Sequence, residues 1–368
     1  MQRQKQLAEW LNSLYPNEQF TLAPASADAS FRRYFRAIFS NGQTRIVMDA
    51  PPQQEDCRPF LHVAELFEDA GTHVPHVYAQ DLEQGFLLLS DLGNTTYLQA
   101  LSKGNTDTAR ELYGAATDAL IKIQLASRDN ELPPYDEALL LREMRLFPEW
   151  YIAKHLNVTL SEVQNAKLET MFARIIANNL SQPRAYVHRD YHSRNLMVVD
   201  PTRWGEAREC GRIDQAAIPA IGSLREEHVM AATDPNPGIL DFQDAVYGPI
   251  TYDLASLFKD AYIRWEEAEV IDWLIRYWEK ARKAGLPLAS DFSEFYRDYE
   301  WMAVQRHLKV LGIFARLYHR DGKDGYLKDL PLVMAYLRAA CARYIDLKPL
   351  LNLLDELEPR DVQVGHTF

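Results

Sequence analysis

Acidic and amide side chains in two short stretches have the types that phosphoryl transfer needs. The first stretch is His188-Arg189-Asp190-Tyr191-His192-Ser193-Arg194-Asn195, and the second is Ile239-Leu240-Asp241-Phe242-Gln243-Asp244. An aspartate can accept or orient the attacking hydroxyl, while an asparagine and a second aspartate can hold the Mg²⁺ that bridges the nucleotide phosphates. We predict that Asp190 is the catalytic base and that Asn195 and Asp241 are the metal ligands.

The residues that flank the first stretch favour this interpretation over a polar turn between two buried strands. Apolar residues precede it at 185–187 and follow it at 196–199. A plain turn explains the apolar flanks, but it does not explain residue types that are suited to metal binding. The spacing H-R-D-x-x-x-x-N is also the catalytic-loop pattern of protein kinases.

The first part of the chain alternates apolar and polar residues as the strands of a small β-sheet do. Asn41-Gly42 between two such runs predicts a hairpin. A loop of small residues at 24–30 precedes the second run. Its backbone amides and the Ser30 hydroxyl could bind phosphate, although an ordinary hairpin loop explains the loop equally well. The predicted elements are a helix at 3–15, strands at 20–23, 31–39 and 44–49, and a helix at 58–70.

A run of mostly apolar residues at 85–93 predicts a buried strand that leads into a turn. Because this run follows the sheet and precedes the helices, we expect it to be a hinge whose backbone groups bind adenine. A plain core strand would have the same pattern. The residues that we assign to nucleotide binding there are Leu89, Ser90 and Leu92.

The predicted small lobe lacks the lysine that protein kinases place on their third strand. No lysine occurs between Lys5 and Lys103. Strand alternation puts Arg33 on an apolar face and Arg32 on the opposite face. We hypothesise that Arg33 points into the cleft and binds phosphate in place of the lysine. The alternative is that these arginines are solvated or pair with an acidic side chain at 55, 56 or 65.

From residue 95 onward, the spacing of apolar residues predicts a mostly helical chain. Thr159 and Glu162 predict a capping box at the start of one helix, and a turn-rich segment at about 200–237 predicts an insertion. The helices near the catalytic loop would supply substrate contacts, although a polar helix face explains each candidate. The predicted helices are 112–125, 139–155, 159–178, 252–265, 267–284, 292–318 and 330–344. The substrate candidates are His192, Arg142, Glu143, Glu149 and Trp150.

The composition is that of an ordinary globular protein, with 47% apolar and 25% charged residues. A formal net charge of −12 argues against a nucleic-acid partner, because proteins of that class carry a basic surface. The three cysteines lie far apart and fit a reducing compartment. Without a signal peptide or an apolar run long enough to span a membrane, we expect a cytoplasmic protein with no membrane partner. The sequence does not indicate an oligomeric state.

The order of these pieces resembles the aminoglycoside phosphotransferase and choline kinase superfamily over nearly the whole chain. The resemblance implies an α+β, two-lobed protein-kinase-like fold, with a small antiparallel β-sheet lobe and a larger, mostly helical lobe. The small lobe would span 1–92, with the hinge near 89–93, and the helical lobe would span 93–368. The resemblance also implies ATP and Mg²⁺ as cofactors, and an aspartate at 253 that supports the catalytic loop.

The strings at 28–36, 48–52 and 305–316 are similar to a bacterial family of anomeric amino-sugar kinases of cell-wall recycling. This resemblance implies transfer of the γ-phosphate of ATP to the C1 hydroxyl of N-acetylmuramate or N-acetylglucosamine. Two alternatives stay open. One is a phosphotransferase for an aminoglycoside or choline-type acceptor, and the other is a catalytically weak, pseudokinase-like binding protein. The missing lysine favours the second alternative, while the intact catalytic and metal-binding residues argue against it.

Overall fold

The computed structural model describes residues 2–27, 31–103, 106–199 and 236–358. The predicted insertion at about 200–237 lies outside this part of the chain, except for its last two residues. Within the described residues, no helix is both long enough and apolar enough to cross a membrane.

The elements that precede the gap are, in chain order, α1 (Gln2–Leu14), β1 (Phe20–Ala27), β2 (Arg33–Phe39), β3 (Thr44–Asp49), α2 (Arg58–Asp69), β4 (Val77–Asp81), β5 (Phe86–Ser90), α3 (Tyr97–Leu101), α4 (Thr106–Leu125), α5 (Glu137–Leu146), a π-helix (Phe147–His155), α6 (Glu162–Leu180), β6 (Arg184–Val187) and β7 (Leu196–Met197). Those that follow it are β8 (Gly238–Ile239), β9 (Val246–Pro249), α7 (Tyr252–Phe258), α8 (Glu267–Lys283), α9 (Phe292–Asp321), a 3₁₀-helix (Asp324–Asp329), α10 (Leu330–Arg343), a second 3₁₀-helix (Ile345–Leu347) and α11 (Lys348–Leu357).

The chain divides into two compact units, and both are discontinuous in sequence. Unit 1 comprises Met1–Ala126 and Arg194–Asp244, and unit 2 comprises Ser127–Ser193 and Ala245–Phe368. This division differs from the expected lobe boundary near residue 92, because β7 and β8 return to pack against Leu92. The boundary near residue 92 stays a prediction.

Unit 1 is built on a five-stranded sheet with the order β1-β2-β3-β5-β4. All neighbouring strands are antiparallel, and the hairpin predicted at Asn41-Gly42 joins β2 to β3. Helix α1 covers one face of the sheet, where its Leu7 and Leu11 pack with Phe35 and Val47 in a buried cluster. Alternate residues of β2 therefore point toward α1 or away from it, as the sequence predicts.

Unit 2 is mostly helical and is organised around α9, a helix of 30 residues. Helices α5, α6, α7, α10 and the π-helix all pack against it. The strands β6 and β9 form a separate antiparallel pair that leads into the catalytic loop. The predicted α+β class, with a small antiparallel sheet and a larger helical portion, is confirmed.

The predicted helix at 139–155 is interrupted. Helix α5 ends at Leu146, and the chain continues as a π-helix that contains Pro148. Because proline has no backbone N–H, Pro148 cannot donate the hydrogen bond that would continue the α-helix. At the end of the π-helix, the backbone N–H of Leu156 donates a hydrogen bond of 2.9 Å to the carbonyl of Tyr151, five residues earlier.

Two further helix predictions are wrong in detail. Helix α6 begins at Glu162 with a capping box between Ser161 and Gln164, so the predicted box of Thr159 with Glu162 does not form. The helix predicted at 252–265 ends at Phe258. It stops there because the next residues turn to bring Asp260 to the catalytic loop, where its carboxylate accepts a hydrogen bond of 3.0 Å from the backbone N of Ser193.

Candidate active site

In unit 2, Asp253 at the start of α7 supports the first residues of the segment 188–195, which we call the catalytic loop. Its two carboxylate oxygens accept hydrogen bonds from the backbone N–H groups of His188 at 2.7 Å and Arg189 at 3.0 Å. Arg189 has a left-handed backbone with φ of 76°. A non-glycine residue is uncommon there, and the two bonds to Asp253 help to hold it. This is the support that the family resemblance implies for position 253.

Asp190 is surrounded by positive charge. Burial alone would raise the pKa of its carboxyl, but the charges of Lys309, His192 and Arg189 outweigh burial, and the pKa lies below its ordinary value. Asp190 is therefore ionised near neutral pH, which is the form that can accept a proton from an attacking hydroxyl.

Glu143, which we predicted as a substrate contact, is instead buried beneath this loop, with 5% of its surface exposed. One carboxylate oxygen faces Arg189 and Lys309, the latter at 2.9 Å. The other accepts hydrogen bonds from Tyr135 and, at 3.2 Å, from Gln305. Because both oxygens are already bound by protein donors, we reassign Glu143 from sugar contact to support of the loop.

The other substrate candidates differ in their placement. His192 donates its backbone N–H to the carbonyl of Asp190 at 3.0 Å, and its ring meets that of Tyr262 edge to face at 5.5 Å. Arg142 on α5 and Glu149 on the π-helix are exposed, and Trp150 is half-buried. The substrate roles of His192, Arg142, Glu149 and Trp150 stay predictions.

The two predicted metal ligands lie together in unit 1. The pairing of β7 with β8 sets Asn195 beside Asp241, and their side chains are joined by a hydrogen bond of 3.2 Å from Nδ2 to Oδ2. Gln243 also donates to Oδ1 of Asp241 at 2.8 Å. Amide and carboxylate oxygens are hard ligands, and Mg²⁺ takes one or two of them together with phosphate oxygens and water. These side chains therefore fit a Mg²⁺ ion.

The backbone of Asp241 is held in an uncommon conformation by its neighbour. Asp241 has a left-handed backbone with φ of 64°. The next residue, Phe242, is buried, and its ring lies 4.8 Å from Phe60 and 5.9 Å from Phe67 of α2. This aromatic packing anchors the residue that follows Asp241.

The two leucines predicted to bind the nucleotide base, Leu89 and Leu92, are buried in unit 1. Leu92 packs with Met197 and Val199. Gly238 permits this packing, since a Cβ there would lie 3.0 Å from both Leu92 and Val199. Leu89 is buried in the sheet.

Of the two serines that we predicted to bind the nucleotide, the structure describes Ser90 but not Ser30. The hydroxyl of Ser90 accepts a hydrogen bond of 2.9 Å from the backbone N of His76, so this side chain serves the sheet. Ser30 lies outside the described residues. The nucleotide-binding roles of Leu89, Ser90, Leu92 and Ser30 stay predictions.

Arg33 lies on the face of the sheet that α1 covers, away from Asp241. Its guanidinium contacts Asp49, which also accepts a hydrogen bond of 2.9 Å from Arg3 of α1. The strand register places Arg33 directly opposite Asp49. Arg33 therefore does not approach Asp241 as predicted, because it pairs with Asp49. Arg32 does lie near a predicted metal ligand, 3.5 Å from Asp241.

Sequence reasoning missed several residues that support the site. Lys309 belongs to α9, Asp260 follows α7, and Gln305 comes from the centre of α9. Folding brings Asp260 to the catalytic loop and brings Lys309 and Gln305 to Glu143, and no local spacing marks these contacts. Arg32 was visible as part of the strand alternation, but the alternation does not tell which face carries the metal ligands.

Comparison with known proteins decides the family. A sequence profile described as "Phosphotransferase enzyme family" matches residues 21–205 and 222–289. The chain belongs to this family. Two relatives of this phosphotransferase are named "N-acetylmuramate/N-acetylglucosamine kinase". The one from Neisseria meningitidis serogroup B is 46% identical over 100% of both chains. The one from Pseudomonas aeruginosa is 47% identical over 96% of this chain and 97% of the relative.

Solved structures show the same fold at low sequence identity. A choline/ethanolamine kinase family protein from Mesorhizobium loti matches the phosphotransferase with a TM-score of 0.58 and 12% identity, covering 96% of this chain and 99% of that one. An ADP-bound aminoglycoside phosphotransferase matches with a TM-score of 0.53 and 13% identity, covering 90% of this chain and 97% of that one. The predicted resemblance to the superfamily is confirmed.

Proposed function

We propose that this phosphotransferase transfers the γ-phosphate of ATP to the anomeric C1 hydroxyl of N-acetylmuramate or N-acetylglucosamine, as a cytoplasmic step of peptidoglycan recycling. The observation that carries the proposal is the 46% identity with the Neisseria kinase over the full length of both chains. The matched length covers both units, so it spans the elements around Asp190 and those around Asp241.

The residues of the chain divide the chemistry between them. The ionised carboxylate of Asp190 orients the sugar hydroxyl and accepts its proton as the oxygen–phosphorus bond forms. The bond between the γ-phosphorus and the β–γ bridging oxygen breaks, and ADP leaves. Asn195 and Asp241 would hold Mg²⁺, which when bound neutralises charge on the phosphate oxygens. The catalytic base and both metal ligands are intact, which favours an active enzyme over a pseudokinase-like binding protein.

Turnover by the purified full-length protein tests the proposal. ATP consumption is measured with Mg²⁺ and, in separate reactions, N-acetylmuramate, N-acetylglucosamine, kanamycin or choline, with the Asp190→Asn variant as the control. We expect turnover with the two N-acetyl sugars, a phosphorus resonance coupled to the C1 proton, and loss of both in the variant. Turnover with kanamycin or choline alone would contradict the proposed amino-sugar acceptor, while the proposed phosphoryl transfer from ATP would stand. ATP binding without turnover on any acceptor would favour the binding protein.

A further inference from the structure

A row of aromatic rings begins at the catalytic loop, and the chemistry described so far assigns a role only to its first member. The ring centre of His192 lies 5.5 Å from that of Tyr262, and the two rings meet edge to face. The ring centre of Tyr262 lies 6.1 Å from that of Phe314 on α9, which in turn lies 5.1 Å from that of Tyr326. All four residues belong to unit 2, which also contains the predicted base, Asp190.

Most of this row is open to solvent in part. Phe314 is buried, with 5% of its surface exposed, and Tyr252 of α7 shows that a tyrosine near the loop can be fully buried. His192, Tyr262 and Tyr326 are instead half-buried, so each keeps some accessible surface although it packs against another ring. Binding sites for small molecules are lined in this way by aromatic side chains, together with a few polar groups. The row therefore offers aromatic surface that a ligand can contact.

Tyr262 and the catalytic loop are held by the same side chain. Asp260 is 1% exposed, and one of its carboxyl oxygens accepts hydrogen bonds from the Oγ of Ser193 and, at 3.0 Å, from the backbone N of Ser193. The other oxygen accepts a hydrogen bond of 3.1 Å from the backbone N of Tyr262. His192, directly before Ser193, donates its backbone N–H to the carbonyl of Asp190 at 3.0 Å. One buried side chain thus ties Tyr262 to the loop that contains the predicted base.

We propose that Tyr262 binds the acceptor sugar, with its ring packed against the pyranose ring while the C1 hydroxyl lies at Asp190. The inference rests on the proposed function, because it needs a pyranose acceptor. The faces of such a ring carry C–H groups and are apolar, whereas its rim carries the hydroxyl and acetamido groups. A tyrosine ring offers a large and rigid apolar surface that suits a sugar face. Because Asp260 holds both Tyr262 and Ser193, a sugar that packs on Tyr262 has a fixed position relative to the loop.

Sugar binding by full-length variants tests the inference. The KM values for N-acetylglucosamine and ATP are measured together with the dissociation constant of an N-acetylglucosamine analogue that lacks the C1 hydroxyl. Tyr262→Leu removes the ring, Tyr262→Phe keeps it, and the control Trp278→Leu removes a half-buried ring of α8 that packs on Phe292. We expect Tyr262→Leu to raise both sugar constants about 10-fold, the size of one aromatic contact, and to leave the KM for ATP unchanged. Tyr262→Phe and Trp278→Leu should leave all three constants close to those of wild type.

The outcomes separate this inference from the proposed function. Unchanged sugar constants in Tyr262→Leu would overturn the inference alone, and so would an equal rise in Trp278→Leu or in the KM for ATP, since either indicates a general structural effect. If Tyr262→Leu does not fold, Tyr262→Met, which has a long flexible side chain, replaces it and should show the same rise. A wild-type protein that neither binds the analogue nor phosphorylates N-acetylglucosamine would contradict the proposed function, and the inference would fail with it.

Discussion

Glu143 balances the positive charge beneath the catalytic loop. Burial alone would raise the pKa of its carboxyl, but the charges of Lys309 and Arg189 lower it to about 2. Glu143 forms ion pairs with both Lys309 and Arg189. A buried charge that keeps its partner costs little, whereas one that loses its partner is strongly destabilising.

Replacing Glu143 by glutamine should therefore lower the free energy of unfolding by about 3–5 kcal/mol at pH 7, measured by urea denaturation. Folding lowers the pKa of Glu143, so its ionised form stabilises the native state above about pH 4.5, and this contribution is lost as the pH falls toward about 2. The difference between wild type and variant should shrink over the same range. The exposed Glu149→Gln is the matched control and should change stability by less than about 0.5 kcal/mol. A deficit that stays constant with pH would contradict this account of Glu143.

Lys309 acts through its charge on Asp190, the predicted catalytic base. Among the cations that lower the pKa of Asp190, Lys309 has the largest effect. Removal of this charge in Lys309→Met should raise the pKa of Asp190 and move the acid limb of the kcat/KM profile to higher pH. Lys280→Met on the exposed surface of α8 controls for a general loss of positive charge. An acid limb that does not move in Lys309→Met would show that Asp190 does not depend on this residue.

At the scale of elements, the crossing of α9 with the end of α5 depends on one glycine. A Cβ at Gly312 would lie 2.3–2.5 Å from the backbone and Cβ of Leu146, whereas Gly114 in α4 has nothing within 4 Å. Gly312→Ala should therefore destabilise the protein by about 1–3 kcal/mol through overpacking. Gly114→Ala should stabilise it by roughly 0.5–1 kcal/mol, because alanine favours an open helix position. The two melting temperatures should move in opposite directions, and a loss of stability in both would contradict the close approach at Gly312.

The sequence predicted the elements that local patterns determine, and it missed elements that depend on tertiary contacts. The hairpin at Asn41-Gly42 and the strand at Thr44–Asp49 are observed as predicted, because turn chemistry and alternation determine both. Strand β4 (Val77–Asp81) was missed; it is an edge strand that pairs with β5, and none of its residues is fully buried. Helix α11 was also missed, although its apolar spacing was visible at 348–357.

The same distinction holds for the candidate site. A short loop and a strand end mark Asp190, Asn195 and Asp241 in the sequence. The structure brings Asn195 and Asp241 together, and the roles of all three residues stay predictions. Arg33 was misplaced because alternation assigns a residue to a face, whereas only the folded sheet shows that α1 covers that face. The burial of Glu143 depends on Lys309, far away in sequence, and no spacing in α5 indicates it.

At the scale of the whole molecule, the boundary between the two units falls inside the catalytic loop. Asp190 belongs to unit 2, while Asn195, Asp241 and the surface around Leu92 belong to unit 1. One short loop therefore contains the predicted base in one unit and a predicted metal ligand in the other. If the units divide the chemistry in this way, a variant in unit 2 and a variant in unit 1 should change different kinetic and binding constants.

Asp190→Asn and Asn195→Ala test this division. Asp190→Asn removes only the proton acceptor, so kcat should fall about 10²- to 10⁴-fold while the dissociation constant of Mg·ADP and the Mg²⁺ concentration for half-maximal turnover stay as in wild type. Asn195→Ala removes a metal ligand, so it should raise the required Mg²⁺ concentration and weaken Mg·ADP, with adenosine affinity unchanged in both variants. Turnover at several Mg²⁺ concentrations and calorimetry with ADP and adenosine make these measurements. A weakened Mg·ADP complex in Asp190→Asn would contradict the division, because it would mean that the base also contributes to holding the nucleotide.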